Sequence, residues 1–139
     1  MKELTPYLIF GGNCSQAVNF YAKCLDAELF VMPYSAAPGD NHPPEIKDKV
    51  IHARLTKKGA PVLMASDDHP GAEVKPGSNN FWISMSCESL PEIEKLFSAL
   101  SEKGKVSAPL HDAFWGARFG MLTDQFGVNW MLNYEQAKQ

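Results

Sequence analysis

Short apolar runs and amphipathic stretches alternate along the chain, and their spacing predicts its secondary structure. In the first half, the apolar run at 7–10 ends at Gly11 and Gly12, and apolar residues at helical spacing follow over 13–26. Three β-type runs come next, at 29–34, 50–55 and 61–66, and the turn 57–59 joins the last two. The first half therefore predicts the element order β-α-β-β-β.

The second half repeats this order. It predicts a strand at 81–87, a helix at 90–103 and strands at 105–110, 118–122 and 128–134. The polar stretch 67–79 between the halves is rich in Gly and Pro, which is typical of a linker. We therefore expect an α+β fold of two βαβββ modules within a single domain, 1–139. The first module is predicted at 1–67, the linker at 68–79 and the second module at 80–139.

Each predicted helix has one apolar face and its own boundary signals. Asn13 or Ser15 is expected to cap the first helix, and the second has Pro91 in its first turn and Gly104 as its stop. The residues expected on the apolar face are Ala17, Phe20, Tyr21, Cys24 and Leu25 in the first helix, and Leu90, Ile93, Leu96, Phe97 and Leu100 in the second.

The last predicted hairpin carries a distinct turn signal. Within 123–127, Asp124 is placed to close an Asx-turn and Gly127 to take a positive φ. A second connection, 35–48, has no hydrophobic period and is rich in Pro, Gly and Asn. Loops of that length are either binding loops and lids or disordered stretches, and the sequence leaves both open.

Composition and charge narrow the class of protein. With 139 residues, 45% hydrophobic and 21% charged, the chain has the size and balance of one globular domain. The net charge is −3 and no basic cluster exceeds Lys57-Lys58, which argues against nucleic acid as a partner. No apolar run approaches the roughly 18 residues that span a bilayer, and residues 1–6 lack an apolar h-region, so no signal sequence is expected. We expect a cytoplasmic protein with no membrane partner.

The cysteines agree with a reducing compartment. Cys14, Cys24 and Cys87 are an odd number and show no CxxC spacing, so neither a disulfide framework nor a zinc knuckle is predicted. Cytoplasmic proteins keep such thiols reduced.

His52 is the one histidine inside a predicted strand, where Val50 and Arg54 share its face by the two-residue period. Two interpretations are open: a hydrogen-bonding or acid/base group in a cavity, or a histidine bonded to a backbone carbonyl. His42 and His69 lie in loops beside acidic residues and are expected to be solvated.

Large aromatic side chains are the other candidates, since an aromatic cleft suits a planar or apolar ligand. Core packing explains any one of them equally well. Phe114 and Trp115 stand out because two large rings at a turn before a strand are costly to leave exposed. His111 and Asp112 beside them are either polar groups of a site or ordinary surface residues. The complete set is Trp82, Phe114, Trp115 and Trp130.

Several segments resemble the PhnB-like branch of the vicinal-oxygen-chelate superfamily, which includes glyoxalase, bleomycin-resistance and extradiol dioxygenase proteins. Proteins of this branch are often labelled as related to 3-demethylubiquinone 3-methyltransferase. No Gly-rich nucleotide loop follows a strand here, so neither S-adenosylmethionine nor any other cofactor is predicted. The segments that carry the resemblance are Pro6-Tyr7-Leu8-x-Phe10-x-Gly12-Asn13-Cys14-x-x-Ala17, Phe20-Tyr21, Ile51-His52-Ala53, Phe114-Trp115 and Thr123-Asp124-x-Phe126-Gly127-Val128-x-Trp130-Met131.

The resemblance implies a cupped sheet built from the two modules. The wall of its cavity carries up to four metal ligands, on the first and last strands of each module. In this chain those positions fall on 6–8, on Met64, on Phe81 or Trp82, and on Met131, where the family has a Glu. None supplies His, Gln, Glu or Asp, and a thioether is a poor ligand for hard or borderline divalent ions. The resemblance therefore implies a site without a metal.

We therefore expect a metal-free homodimer that binds a small apolar or aromatic molecule in this cavity. His52, Trp115 and Met131 are expected to lie in one cavity, and His52 is the candidate for any catalysis. The expected ligand-binding residues are His52, Met64, Trp82, Phe114, Trp115 and Met131.

Two alternatives belong to other classes of protein. One is a metal-dependent lyase, isomerase or dioxygenase with displaced ligands, centred on His52 and on Glu45, Asp67 or Glu88. The other is a structural or regulatory dimeric protein whose apolar cavity completes the dimer. The sequence alone does not name the ligand or substrate.

Overall fold

Residues 1–36, 47–68, 73–75 and 81–136 are described by the computed structural model. The chain divides into two compact units, Met1–Val74 and Lys75–Gln139, and this division falls inside the predicted linker. Each unit contains one four-stranded mixed sheet and one α-helix. The predicted α+β fold of two βαβββ modules is confirmed.

The first unit contains sheet 1, in which the strands lie in the order β1-β4-β3-β2. The first strand runs parallel to β4, and the other neighbours are antiparallel. A short 3₁₀ turn, Tyr34–Ala36, follows β2. The elements are β1 (Tyr7–Phe10), α1 (Cys14–Leu25), β2 (Glu28–Pro33), β3 (Val50–Lys57) and β4 (Ala60–Asp67).

The second unit contains sheet 2, in the equivalent order β5-β8-β7-β6. Here β5 is parallel to β8, and the remaining pairs are antiparallel. The elements are β5 (Ile83–Ser86), α2 (Leu90–Leu100), β6 (Lys105–Asp112), β7 (Ala117–Thr123) and β8 (Asn129–Glu135).

One face of each sheet is covered by the helix of its own unit. In the first unit α1 contacts β2, β3 and β4, and its buried residues are Cys14, Ala17, Val18 and Tyr21. The expected face was therefore only partly right, because Val18 is fully buried while Phe20, Cys24 and Leu25 are half-buried. In α2 the buried residues are Ile93, Phe97 and Leu100, whereas Leu90 is 42% exposed.

The start of α1 is capped by a distant carboxylate. Asn13 occupies the N-cap position but its side chain makes no capping hydrogen bond. Instead Oδ1 of Asp67, at the end of β4, accepts hydrogen bonds from the backbone N–H groups of Gly12 and Cys14, both at 2.9 Å. Oδ2 of Asp67 accepts a third from Val50 N–H at 2.9 Å. A buried anion thus satisfies the free donors of the helix end and favours its positive dipole.

Helix α2 begins where the sequence predicted but ends earlier, and Gly104 is not its stop. The N-cap Ser89 accepts a hydrogen bond from Glu92 N–H at 3.2 Å, and Pro91 lies in the first turn as expected. The helix ends at Leu100, and Lys103 is the residue in the left-handed conformation, with φ 58°. A Cβ on Gly104 would lie 2.5 Å from the carbonyl oxygen of Thr123, so Gly104 is required for close backbone approach.

The two predicted turns are confirmed. Lys58 and Gly59 both have positive φ, 52° and 80°, as a type I′ hairpin turn requires. Oδ1 of Asp124 accepts from Phe126 N–H at 2.8 Å, which closes the Asx-turn, and Gly127 has φ 85°. Among the described residues, neither helix is long and apolar enough to cross a membrane.

Candidate ligand-binding site

The face of sheet 1 that α1 leaves uncovered is formed by alternate residues of its four strands. Ala53, Leu55, Leu63 and Ala65 are buried on the α1 side, so the residues between them point to the helix-free face. Strand register places one residue of each strand side by side on this face. This row, called here the Met64 row, is Phe30, Arg54, Met64 and Tyr7.

The helix-free face of sheet 1 is largely apolar and accessible. Tyr7 and Ile9 are each 44% exposed and Phe30 is 48% exposed. Exposed rings and branched side chains gathered on one sheet face favour contact with an apolar molecule more than with water. The face therefore offers an apolar surface within the first unit.

His52 lies on this face, one alternation from Arg54, and its Cα partner in β2 is Met32. Its Nδ1 lies 3.1 Å from the hydroxyl oxygen of Tyr7, and the two rings are 5.8 Å apart between centroids. The hydrogen bond is therefore made to a side chain on the sheet face, and not to a backbone carbonyl. That His52 is a polar group of a ligand-binding surface stays a prediction.

Arg54 brings a positive charge to the centre of the same face. Its guanidinium carbon lies 5.5 Å from the centroid of the Phe30 ring, which is a cation–π geometry. Sequence alternation had placed Arg54 on the His52 face, but the pairing with Phe30 depends on the β2–β3 register. Phe30 and Ile9 lie on this face as well, although neither is among the site residues predicted from the sequence.

Sheet 2 has a corresponding row on the face opposite α2. Trp130 and Leu132 are buried, and Gly120 lies against the Phe97 ring of α2, so the intervening residues point to the other face. This row, called here the Met131 row, consists of Ala108, Met121, Met131 and Ser84. Met64 and Met131 thus occupy equivalent register positions in the two sheets.

Phe114 and Trp115 lie at the tip of the β6–β7 hairpin. Phe114 is 98% exposed and Trp115 is 53% exposed, so neither is a core residue. The Trp115 ring meets Phe114 and Phe119 edge to face, with centroids 5.1 and 5.3 Å apart. Phe119 in turn contacts His111 at 6.1 Å. The hairpin thus presents a cluster of aromatic rings.

The structure locates the remaining predicted site residues. Trp82 is half-buried and precedes β5, so that the residue paired with Met131 on that strand is Ser84. Trp130, another aromatic candidate, is buried and donates its indole N–H to Oδ2 of Asp124 at 2.8 Å, so it is a core residue. His42, Glu45 and His69 lie outside the described residues. That His52, Trp115 and Met131 line one cavity stays a prediction.

The residues at the family's metal-ligand positions do not fit a metal ion. In chain order, β1 and β4 are the first and last strands of the first module, and β5 and β8 those of the second. Register pairs Tyr7 of β1 with Met64 of β4, and Ser84 of β5 with Met131 of β8. Two thioethers, a phenol and a hydroxyl are a poor set for Zn²⁺, Mn²⁺ or Fe²⁺, which prefer imidazole and carboxylate. Within 1–36, 47–68, 73–75 and 81–136, no group of three or more His, Cys, Asp or Glu residues is placed to hold a metal.

Asp67 does not lie on the same face as His52, as the metal-dependent alternative with an Asp67 ligand required. Ala53 pairs with Ala65, so Asp67 points to the α1 side of the sheet and His52 to the other. The Asp67 carboxylate is 4% exposed and accepts three backbone hydrogen bonds. It is therefore a structural group.

A polar depression of about 510 Å³ lies beside the start of α1, and Asp67 is one of its lining residues. Its charged groups already serve the backbone, because Lys49 Nζ donates to the Gly12 carbonyl at 2.8 Å and Asp67 caps the helix. We assign it no ligand. The lining residues are Gly12, Asn13, Ser15, Gln16, Asn19, Asp48, Lys49 and Asp67.

The buried thiols are poor nucleophiles. All three cysteines are free. Burial, with a smaller contribution from the Asp67 carboxylate, raises the pKa of Cys14 to about 12. Burial, followed by the nearby Glu92, raises the pKa of Cys87 to about 11. Since the thiolate is the reactive form, both cysteines are inert at neutral pH.

Similar proteins extend over nearly the whole chain. YjdN from Escherichia coli (strain K12) is 34% identical in an alignment 140 positions long, and the alignment covers 94% of this chain and 93% of that protein. The crystal structure of protein PA1353 from Pseudomonas aeruginosa is 44% identical, with a TM-score of 0.86, over 99% of this chain and 100% of that one.

A third similar protein carries a functional name. The PhnB protein from Bacillus cereus, provisionally named a 3-demethylubiquinone-9 3-methyltransferase, is 28% identical with a TM-score of 0.79, over 96% and 99% of the two chains. This similarity confirms the PhnB-like resemblance. The sequence profile of the Glyoxalase/Bleomycin resistance protein/Dioxygenase superfamily matches residues 3–132. The chain therefore belongs to the Glyoxalase/Bleomycin resistance protein/Dioxygenase superfamily.

Proposed function

We propose that this protein binds a small apolar or aromatic molecule without using a metal ion, and that the helix-free face of sheet 1 is the binding surface. The observation that carries the proposal is the Met64 row, where Tyr7 and Phe30 are 44% and 48% exposed at either end of a four-strand row. Small-molecule sites combine such apolar surface with a few polar groups that fix orientation.

The polar groups are present on the same face. The Tyr7 hydroxyl and His52 form a hydrogen-bonded pair, and Arg54 lies over Phe30. A binding protein needs only shape, apolar surface and these few hydrogen bonds. The side chains at the metal-ligand positions support binding without metal chemistry, because methionine, serine and tyrosine do not provide a usable ligand set.

A fluorescence titration with the neutral probe N-phenyl-1-naphthylamine tests the proposal. We expect Phe30→Ala and Ile9→Ala to weaken probe binding by roughly tenfold each, or about 1.4 kcal/mol. Leu90→Ala is the matched control, since Leu90 is an apolar residue of similar exposure, 42%, at the start of α2. Failure of the wild-type protein to bind the probe, or equal binding by all variants, would contradict the proposal.

Metal analysis of protein purified without an affinity tag tests the second part. We expect no stoichiometric Zn, Ni, Mn or Fe. A metal that is retained through purification and lost in His52→Ala would favour the metal-dependent enzyme instead.

We further propose that the protein is cytoplasmic, in keeping with its free cysteines, and that it is a homodimer, as the resemblance implies. The exposed rings of Phe114 and Trp115 support this, because two large aromatic side chains in water favour association. Sedimentation velocity of the wild type and Phe114→Ser tests it. A monomeric wild-type protein at micromolar concentration would contradict the dimer.

A further inference from the structure

The helix-free face of sheet 1 holds a guanidinium whose charge is not neutralised by any residue that the structure describes in its unit, 1–36, 47–68 and 73–74. Arg54 lies on β3, an interior strand, between Phe30 and Met64 in register. Among the described residues Arg54 forms no ion pair, whereas Arg118 pairs with Asp112 at 3.3 Å. Glu28 lies two residues before Phe30 on the same face, but it makes no ion pair with Arg54.

The contact between Arg54 and Phe30 orients the guanidinium and leaves its hydrogen-bond donors available. The guanidinium carbon lies 5.5 Å from the ring centroid, and such a cation–π contact is made to the face of the ring without using an N–H donor in a hydrogen bond. Its five N–H donors lie in the plane of the group, and two of them form a fork that matches the two oxygens of a carboxylate. Arg54 thus lies beside Phe30 on the sheet face, with hydrogen-bond donors left for a ligand.

We infer that the ligand is an organic carboxylate, whose anionic group is bound by Arg54 and whose apolar body lies on Phe30, Met64 and Tyr7. This inference rests on the proposed function and gives the ligand its charge. An apolar ligand that covered Arg54 without an anion would leave a desolvated charge, which is costly. A carboxylate neutralises that charge through a bidentate hydrogen bond.

The charge on the face fits a monoanion better than a phosphate. Lys49 precedes β3 and Lys57 is its last residue, and they donate to the backbone carbonyls of Gly12 and Leu25, at 2.8 and 2.6 Å. Arg54 is therefore the cation that the described part of the face presents to a ligand. A phosphate dianion is typically held by several cations or by a helix N-terminus, whereas one guanidinium suffices for a carboxylate.

The Tyr7–His52 pair supplies a second polar point on the same face. His52 uses Nδ1 for its hydrogen bond with the Tyr7 hydroxyl, so Nε2 remains for a hydrogen bond with an oxygen or nitrogen atom of the ligand. Arg54 and this pair thus bracket the apolar side chain of Met64, which pairs with both Tyr7 and Arg54 in register.

Two matched probes test the inference, 2-naphthoate and its neutral amide 2-naphthamide, by isothermal titration calorimetry with the full chain. We expect Arg54→Gln to weaken 2-naphthoate binding by roughly tenfold or more, because hydrogen bonds to charged groups are among the stronger ones. Arg54→Lys should retain part of the affinity, since it keeps the charge but not the fork. Binding of 2-naphthamide should change by less than about twofold in either variant.

Arg118→Gln is the control, because Arg118 already has Asp112 as its partner at 3.3 Å and its loss should leave 2-naphthoate binding unchanged. Naphthyl phosphate should bind no more tightly than 2-naphthoate, and tighter binding would overturn the choice of carboxylate. Equal binding of 2-naphthoate by wild type and Arg54→Gln would overturn the inference. If N-phenyl-1-naphthylamine still binds in that case, the proposed function stands and only the anion preference fails. If neither neutral nor anionic probe binds, the proposed function itself fails.

Discussion

The hydroxyl of Tyr7 lies 3.1 Å from Nδ1 of His52, although the two residues are on strands that β4 separates. Tyr7 belongs to the edge strand β1, and His52 to the interior strand β3. The hydrogen bond therefore crosses the side chains of β4 on the helix-free face. It links two residues that are 45 positions apart in the sequence.

This bond should be measurable as an energetic coupling. Tyr7→Phe, His52→Gln and the double variant are expected to show a coupling of about 0.5–1 kcal/mol in the free energy of unfolding, the net value of a partly exposed neutral hydrogen bond. Urea unfolding followed by circular dichroism gives all four values. Strict additivity of the two single variants would show that the bond contributes nothing in solution.

Asp67 should be more important for stability than any surface carboxylate. Asp67→Ala leaves three backbone N–H groups without their acceptor, two of them buried and one part-buried, and we expect the free energy of unfolding to fall by about 3 kcal/mol. Asp67→Asn should lose less, because one oxygen remains. Asp48→Asn is the control, since Asp48 is exposed. Equal urea midpoints for Asp67→Ala and the control would contradict this account.

Gly120 allows α2 to pack closely on sheet 2. An added Cβ would lie 2.6 Å from Cε2 of Phe97 and 2.9 Å from Cδ2 of Leu110, so Gly120→Ala should lower the free energy of unfolding by about 1–3 kcal/mol. Gly11→Ala is the matched control, because the Cβ would lie 3.7 Å from Val74 Cβ, an ordinary contact. Thermal and urea unfolding measure both. If Gly120→Ala is as stable as Gly11→Ala, the side chains of Phe97 and Leu110 shift to accommodate the added methyl group at little cost.

The buried thiol of Cys14 predicts a loss of stability at high pH. In the folded protein burial raises the pKa of Cys14 from 9.0 to about 12, so between these pH values the unfolded chain releases a proton that the folded chain keeps. Raising the pH from 9 therefore favours unfolding. We expect the urea midpoint of the wild type to fall more steeply between pH 8 and 11 than that of Cys14→Ala. Parallel pH profiles would show that the thiol does not contribute.

Trp115 separates a ligand-binding role from a structural one. Because its side chain is 53% exposed, Trp115→Ala should unfold near the wild-type midpoint. If Trp115 is an aromatic anchor for the ligand, the variant should lose roughly 1–3 kcal/mol of affinity for N-phenyl-1-naphthylamine. A variant that unfolds readily but binds the probe normally would assign Trp115 to packing.

The parts of the fold that short-range physics determines were predictable from the sequence. Strand alternation and helical spacing gave the order of elements, and Asp124 and Gly127 predicted their own turn because an Asx-turn needs only neighbouring backbone groups. Alternation also placed His52 and Arg54 on one face.

Features that depend on distant parts of the chain were missed or misassigned. Asp67 caps a helix that begins 53 residues before it, so no local pattern around Asn13 reveals the cap. Gly104 resembled a helix stop, but its role depends on the approach of Thr123. Strand register pairs Phe30 with Arg54, and it places Ser84, not Trp82, beside Met131. The sequence alone does not specify this register.

The equal register of the two sheets has an evolutionary consequence. The Met64 row and the Met131 row correspond strand by strand, so Met121 is the counterpart of Arg54 and Ala108 the counterpart of Phe30. Such correspondence is what a duplicated ancestral half would leave behind, since hydrogen bonding between strands involves backbone groups and tolerates side-chain divergence. At these positions the two halves differ in side-chain chemistry, because the first has a charge and a ring where the second has a thioether and a methyl group. The binding chemistry of one half is therefore transferable in principle, and Ala108→Phe, Met121→Arg and Ser84→Tyr together would place the residue types of the first row on the second backbone.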